Sequence, residues 1–203
     1  ESIVTELTGA DKFSWFAEKR IQKQESFDLR DPAEHSADIL EGGISYNVST
    51  TQMHKTGFYL DQRENRKKLV ELCQGKIVAD LCCFAGTFGI AAKKMGNAKE
   101  VVCVDMDPAA VELGQKNAQT NDATVSFVCA NVSDWAALAE NKARFDVVVL
   151  DPPKLTKNSK EIDKALRHYT HLNAAALDLV KPGGILVTCS CTGLVSEDDF
   201  LKA

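Results

Sequence analysis

The sequence predicts a doubly wound α/β fold on a mostly parallel sheet. Three observations predict it: five short runs rich in Val, Leu, Ile and Cys, helical stretches between them, and a polar or reactive residue closing each run. Near-continuous apolar runs mark strands covered on both faces. Their alternation with helices puts those helices on both sides of a parallel sheet.

The elements follow in chain order. Residues 11–24 can form a helix with Phe13, Phe16 and Ile21 roughly on one side. Residues 37–48 read as a hairpin around Gly42-Gly43. Residues 1–53 are therefore expected to be an appendage with too little core to stand alone, and 54–203 the main domain. A helix is expected over 62–73, with Leu69 and Leu72 inward and Arg63, Arg66, Lys67 and Lys68 outward. The strand runs are 76–82, 100–105, 125–129, 145–150 and 185–190, and the intervening helices 87–95, 108–120, 132–140 and 161–180. Pro108 suits a first helical turn. Lys181-Pro182-Gly183-Gly184 is expected to end the long helix and turn into the last strand.

Composition narrows the class. The 203 residues are 44% hydrophobic and 26% charged, with net charge −5, which excludes wholesale disorder. No apolar run reaches the roughly 18 residues of a membrane span. The start lacks a basic and then apolar leader, and the absent initiator Met points to a fragment or a processed chain. Seven cysteines, an odd number lying mostly in apolar runs, argue for a reducing cytoplasm rather than a disulfide framework. Their spacing does not suit zinc, so no metal is expected. The acidic balance argues against indiscriminate nucleic-acid coating. Residues 154–171 nevertheless carry five cations against two carboxylates.

Ligands of such sheets sit at the carboxyl ends of the strands. Those ends carry Asp80 to Gly89, Asp105-Met106-Asp107, Ala130-Asn131, Asp151-Pro152-Pro153 and Cys189-Ser190-Cys191. A dinucleotide loop wants Gly-x-Gly-x-x-Gly around a pyrophosphate. Here only Gly86 and Gly89 follow, and Asp80 would repel a phosphate. An acidic loop suits a cationic ligand such as the ammonium of an amino-acid moiety. Asp105, 19 residues beyond Gly86, can accept ribose hydroxyls. The pair favours S-adenosylmethionine over NAD, although either Asp taken alone reads equally well as a helix cap. Cys103 and Cys129, inside strand runs, read as small core residues. Cys82 and Cys83 flank the cofactor loop, where one lines the pocket without reacting, and Cys73 carries no signal.

The paired cysteines suggest the chemistry. Carbon 5 of a pyrimidine is a poor nucleophile until a thiolate adds at carbon 6, which requires a Cys of depressed pKa at the pocket rim. On a strand, Cys189 and Cys191 would point to one face. Pro152 and Pro153 would form a rigid wall for a flat base.

In these residues the chain resembles the class I S-adenosylmethionine-dependent methyltransferases, with their Rossmann-like fold. More closely it resembles the large-subunit (23S) ribosomal RNA cytosine-5 methyltransferases of bacteria. The matching stretches are His54-Lys55-Thr56-Gly57-Phe58-Tyr59-Leu60-Asp61-Gln62-Arg63, the loop from Asp80 to Gly86, Val149 to Lys154, and Gly183 to Cys191. The resemblance implies that Asp80 and Gly86 border the methionine part, Asp105 the ribose and residue 131 the adenine. There Asn131 replaces the usual Asp. Thr56 and Gln62 are implied as further cofactor contacts, and Cys82, Met106 and Asp151 border the same site.

Counted from Gly183-Gly184, the family's catalytic Cys falls on Cys191, with Cys189 as the fallback. Lys154 occupies the place of a second catalytic Cys found in some relatives, which leaves Asp151 as the base. Lys154 also replaces the aromatic residue that follows the prolines in enzymes acting on exocyclic amines. The implied partner is RNA, ribosomal by resemblance, its base extruded to reach the pocket. Pro152, Pro153 and Lys154 would meet the base, and Lys157 and Lys160 the phosphates. The residues ahead of this region do not read as the separate RNA-binding domain that family members usually carry, and the given sequence runs about a dozen residues past the fifth strand, so a truncated or minimal form is expected. Two rivals stay open: a methyltransferase acting on an exocyclic amine or small molecule, and a non-catalytic RNA-binding module with a degenerate fold.

Overall fold

The computed structural model describes residues 6, 7, 9, 23–26, 36–49 and 58–203. The chain divides into two compact units, Glu1–Ile39 with Asn47–Phe58, and Leu40–Tyr46 with Tyr59–Ala203. In the smaller unit, the Asn47 side-chain amide donates to Asp38 Oδ1 at 3.0 Å. The helix expected over 11–24 lies outside the described residues, apart from residues 23 and 24. The hairpin is present as β1 (Ser36–Glu41) and β2 (Ile44–Ser49), and its tip belongs to the larger unit.

The larger unit is built on five parallel strands: β3 (Ile77–Leu81), β4 (Glu100–Asp105), β5 (Ser126–Cys129), β6 (Phe145–Leu150) and β7 (Val180–Thr188). Their order is β5-β4-β3-β6-β7, so the chain leaves β3 first towards one edge and then crosses to the other. The crevice at that reversal is where open α/β sheets bind ligands. The helices are α1 (Arg63–Glu71), α2 (Thr87–Lys94), α3 (Pro108–Thr120), α4 (Val132–Ala136), α5 (Ile162–Leu177) and α6 (Glu197–Phe200).

Alternation along the strands divides the core in two. Ala79, Leu81, Val102, Val104, Val148 and Leu150 meet Trp135 of α4 and Leu172 and Ala176 of α5. Val78, Val101, Cys103, Val147 and Val149 face the other way, onto Leu69, Cys73, Phe88 and Ala92. Among the described residues no helix is long and apolar enough to cross a membrane.

Several expectations need correction. Arg66, read as outward, is 2% exposed. Its Nε and Nη2 grip the Glu41 carboxylate at 2.6 and 2.9 Å, and its guanidinium lies 5.9 Å from the Phe88 ring centre. Leu72, read as inward, is 37% exposed because α1 ends at Glu71. The long helix stops at Leu177 and β7 begins at Val180. Residues 181–184 are a bulge within that strand, since Phe145 pairs with Val180 and Val147 with Ile185. The helix expected over 132–140 ends at Ala136, where a short 3₁₀ turn (Ala139–Asn141) takes over. Cys129 is exposed rather than core, because β5 is the sheet edge and stops there.

Candidate active site

The loop after β3 is bent sharply. Cys82, Phe84 and Gly86 all have positive φ, at 58, 47 and 72°. Only Gly86 adopts this without a side-chain penalty. A Cβ there would also lie 2.8 Å from the Phe127 ring. Gly89 is needed for closeness instead. Its N–H donates to Asp80 Oδ2 at 2.8 Å, and a Cβ would meet Cys103 Sγ at 2.3 Å. In the sequence Gly89 has no role beyond a glycine spacing unsuited to a pyrophosphate; its i, i+3 relation to Gly86, at the start of α2, was the available signal.

Asp80 is 1% exposed. Its Oδ2 takes the Gly89 N–H and a weak bond from the Cys103 thiol at 3.8 Å. Its Oδ1 is buried with no hydrogen-bond partner among the described residues. Burial raises this carboxyl to about 7, with Asp151 and Asp105 adding to the rise and the Gly89 N–H opposing it. An orphaned buried carboxylate oxygen is costly and suits a positively charged donor. Asp105, half-buried, ends β4. Its Oδ2 accepts from Phe84 N–H at 2.8 Å and its Oδ1 from Asp107 N–H at 3.0 Å. Each oxygen keeps a lone pair for a hydroxyl.

The end of β5, which carries Asn131, is more open. Asn131 is exposed and caps α4, its Oδ1 accepting from Ser133 and Asp134 N–H at 2.9 and 3.4 Å. Its oxygen is therefore committed to the helix, which leaves the amide NH2 for a ligand. Met106 is 69% exposed beside Asp105. Cys82 is half-buried, and its thiol is pushed up to about 12 by burial and then by Asp105 and Asp80. Thr56 lies outside the described residues.

On the other side of β3, two loops run together. Asp151 N–H bonds to Leu81 C=O at 3.3 Å, and Cys189 N–H bonds to Leu150 C=O at 2.9 Å. Gln62, from a 3₁₀ turn (Leu60–Gln62) before α1, donates from Nε2 to Asp151 Oδ2 at 3.1 Å. Burial raises the half-buried Asp151 to about 6, and Asp61 pushes it the same way, against the Gln62 bond and Arg66. The Cys191 thiol sits on the Pro152 carbonyl at 3.9 Å. Pro152 is buried, so it backs the thiol rather than offering an open wall, whereas Pro153 and Lys154 are exposed. Lys157 and Lys160 are exposed on the following loop. Tyr169 is core, its hydroxyl bonded to Ser190 and Thr192 at 2.9 Å each.

The strand-face argument for the two cysteines does not hold, because β7 ends at Thr188 and both lie beyond it. They differ in setting. Cys189 is half-buried, and burial and then Asp151 push its thiol up to about 12. It does not have the depressed pKa the chemistry asks for. Cys191 is exposed. Cys103, fully buried in the core, has its thiol raised by burial.

Comparison with known proteins places this geometry. The model of the S-adenosylmethionine-dependent methyltransferase family matches residues 22–203. The ribosomal RNA large subunit methyltransferase I of Shewanella frigidimarina is 40% identical over 168 residues, 81% of this chain and 42% of that protein. Its namesake from Photobacterium profundum is 41% identical over 170 residues, again 81% and 42%. The chain thus spans about 42% of the length of these curated relatives. A methyltransferase crystallised with S-adenosylhomocysteine superposes with TM-score 0.67 at 26% identity, covering 87% of this chain and 47% of that one. A methyltransferase from Streptococcus mutans gives 0.67 and 26% over 87% and 46%. The orphaned Asp80 oxygen, the glycine-lined loop and the half-buried Asp105 fit the family's cofactor, S-adenosylmethionine. The chain belongs to the S-adenosylmethionine-dependent methyltransferase family.

Proposed function

We propose that the chain methylates carbon 5 of a cytosine in large-subunit ribosomal RNA, with Cys191 as nucleophile and Asp151 as base. The observation that carries this reading is the Cys191 thiol resting on the Pro152 carbonyl directly after Asp151. An exposed thiol beside a half-buried carboxyl, at the strand end next to the cofactor loop, supplies the two groups that carbon-5 chemistry needs. The names of the curated relatives support RNA as the acceptor. So does the exposed cationic stretch of Lys154, Lys157 and Lys160, which can pair with phosphates.

S-adenosylmethionine supplies an electrophilic methyl group. The residues do the rest. The Cys191 thiolate adds to carbon 6 of the base and so makes carbon 5 nucleophilic. Once carbon 5 has been alkylated, Asp151 takes its proton, and elimination restores the carbon 5–carbon 6 double bond and frees the thiolate. A carboxyl raised to about 6 is matched to accepting a proton near neutrality. Asp80 and Asp105 would hold the methionine and ribose parts of the methyl donor, and Gln62 fixes the orientation of Asp151 through its 3.1 Å bond.

The test is to incubate the chain with an in vitro transcript of large-subunit ribosomal RNA and labelled S-adenosylmethionine, then digest the RNA for nucleoside mass spectrometry. The expected product is 5-methylcytidine. A methylated exocyclic amine would replace this reading with the amine rival. No measurable binding of S-adenosylhomocysteine, together with no transfer, would favour the binding module.

Asp80 makes the donor end sensitive to pH. Its folded-state value of about 7 lies above the ordinary 3.8. Its contribution to stability is therefore full below pH 3.8 and is lost as pH rises through about 7. A cationic ligand works the other way, because it stabilises the charged form. Affinity for S-adenosylhomocysteine, which retains the ammonium, is expected to rise about tenfold from about pH 6 to 8. Asp80→Asn should weaken binding and flatten that profile in calorimetric titrations. An equally steep profile in the variant would assign the pH dependence to another group.

A further inference from the structure

Tyr59 lies in the motif before α1, yet neither the cofactor nor the thiol chemistry assigns it a task. Its backbone is held firmly. The carbonyl accepts from Gln62 N–H at 3.2 Å and from Arg66 Nη1 at 3.1 Å, and Arg66 is itself locked by Glu41. Its ring meets Phe84 edge-to-face, with centroids 5.6 Å apart and planes at 77°. Phe84 is the residue whose N–H holds Asp105.

The Tyr59 side chain is half-buried, and its hydroxyl has no hydrogen-bond partner among the described residues. We propose that Tyr59 is an acceptor-binding residue, its ring walling one side of the extruded pyrimidine and its hydroxyl donating to a carbonyl of that base. The proposal rests on the function proposed above.

Three features support it. The ring packs on Phe84, whose N–H holds Asp105 on the donor side, and the turn that Tyr59 opens sends Gln62 Nε2 to Asp151 on the reacting side. Burial and then Asp151 raise the hydroxyl's pKa, so it stays protonated and remains a donor. The doubly bonded carbonyl fixes the ring before a base arrives, which lowers the ordering cost of binding. A pyrimidine offers what this residue can use, a flat face for stacking and a carbonyl oxygen for the phenol.

Steady-state methyl transfer to the large-subunit transcript, run with saturating S-adenosylmethionine, tests this in the full chain. Tyr59→Phe keeps the ring and loses the donor, so kcat/KM for RNA should fall about tenfold. Tyr59→Ala loses both and should cost about a hundredfold. Affinity for S-adenosylhomocysteine should stay within about twofold in both variants, which also shows that they are folded. Kinetics equal to wild type would overturn the inference, as would a loss confined to S-adenosylhomocysteine binding. A wild-type chain that methylates no RNA overturns the proposed function, and this inference with it, before any variant is made.

Discussion

Cys191→Ala is expected to abolish methyl transfer to RNA, by at least about a thousandfold, while S-adenosylhomocysteine binding stays within about twofold. The size of the effect follows from the role. Without the sulfur no electron density reaches carbon 5, and no neighbouring group can substitute. The half-buried Cys189 thiol, pushed up to about 12 by its surroundings, is poorly suited to take over. Cys189→Ala should therefore leave transfer within about tenfold of wild type. The reverse pattern, with Cys189→Ala dead and Cys191→Ala active, would exchange the two assignments. Trapping the adduct separates nucleophile from scaffold, because RNA carrying 5-fluorocytosine blocks the final proton removal. Wild type should then form a band that survives denaturing electrophoresis, and Cys191→Ala should not.

The second large effect is on stability. Glu41→Ala should destabilise the protein by about 3–5 kcal/mol, because it strands a guanidinium that is 2% exposed. For a protein of this size that corresponds to a fall of order 10 °C in the thermal midpoint. Lost Coulomb attraction is the smaller part, and the penalty comes chiefly from the uncompensated buried charge. Replacing both partners, with Glu41→Leu and Arg66→Leu together, should recover a large share of the loss. If the double variant is no better than the single, the hydrogen bond from Arg66 to the Tyr59 carbonyl matters more than the ion pair. Calorimetric unfolding of the three variants distinguishes these cases.

Much of the sheet was legible from the sequence because its strands are buried on both sides. The runs at 100–105 and 145–150 and the helix at 108–120 fall where apolar continuity and Pro108 put them. Arg66 was illegible for a physical reason. A charge on a helix reads as solvent-facing, and the carboxylate that makes burial tolerable sits 25 positions earlier on the hairpin. The bulge at residues 181–184 was likewise hidden, since Pro182 and the glycines look like a terminator whether or not a strand resumes on both sides. At the candidate site, spacing pointed to Asp80, Asp105, Asp151 and the paired cysteines as strand-end residues. It could not tell which thiol is enclosed, because that depends on β7 stopping at Thr188. Nor could it reveal Tyr59, whose ring meets Phe84 only after the segment before α1 folds back over the loop following β3.

The strand order also has an evolutionary consequence. β4 and β5 lie on one flank of β3 and carry Asp105 and Asn131, whereas β6 and β7 lie on the other and lead into Asp151, Cys189 and Cys191. On the proposed function, donor recognition and acceptor recognition occupy separate halves of one scaffold, joined at a shared central strand. A lineage could rebuild the acceptor half for a new nucleotide and inherit the other half nearly untouched.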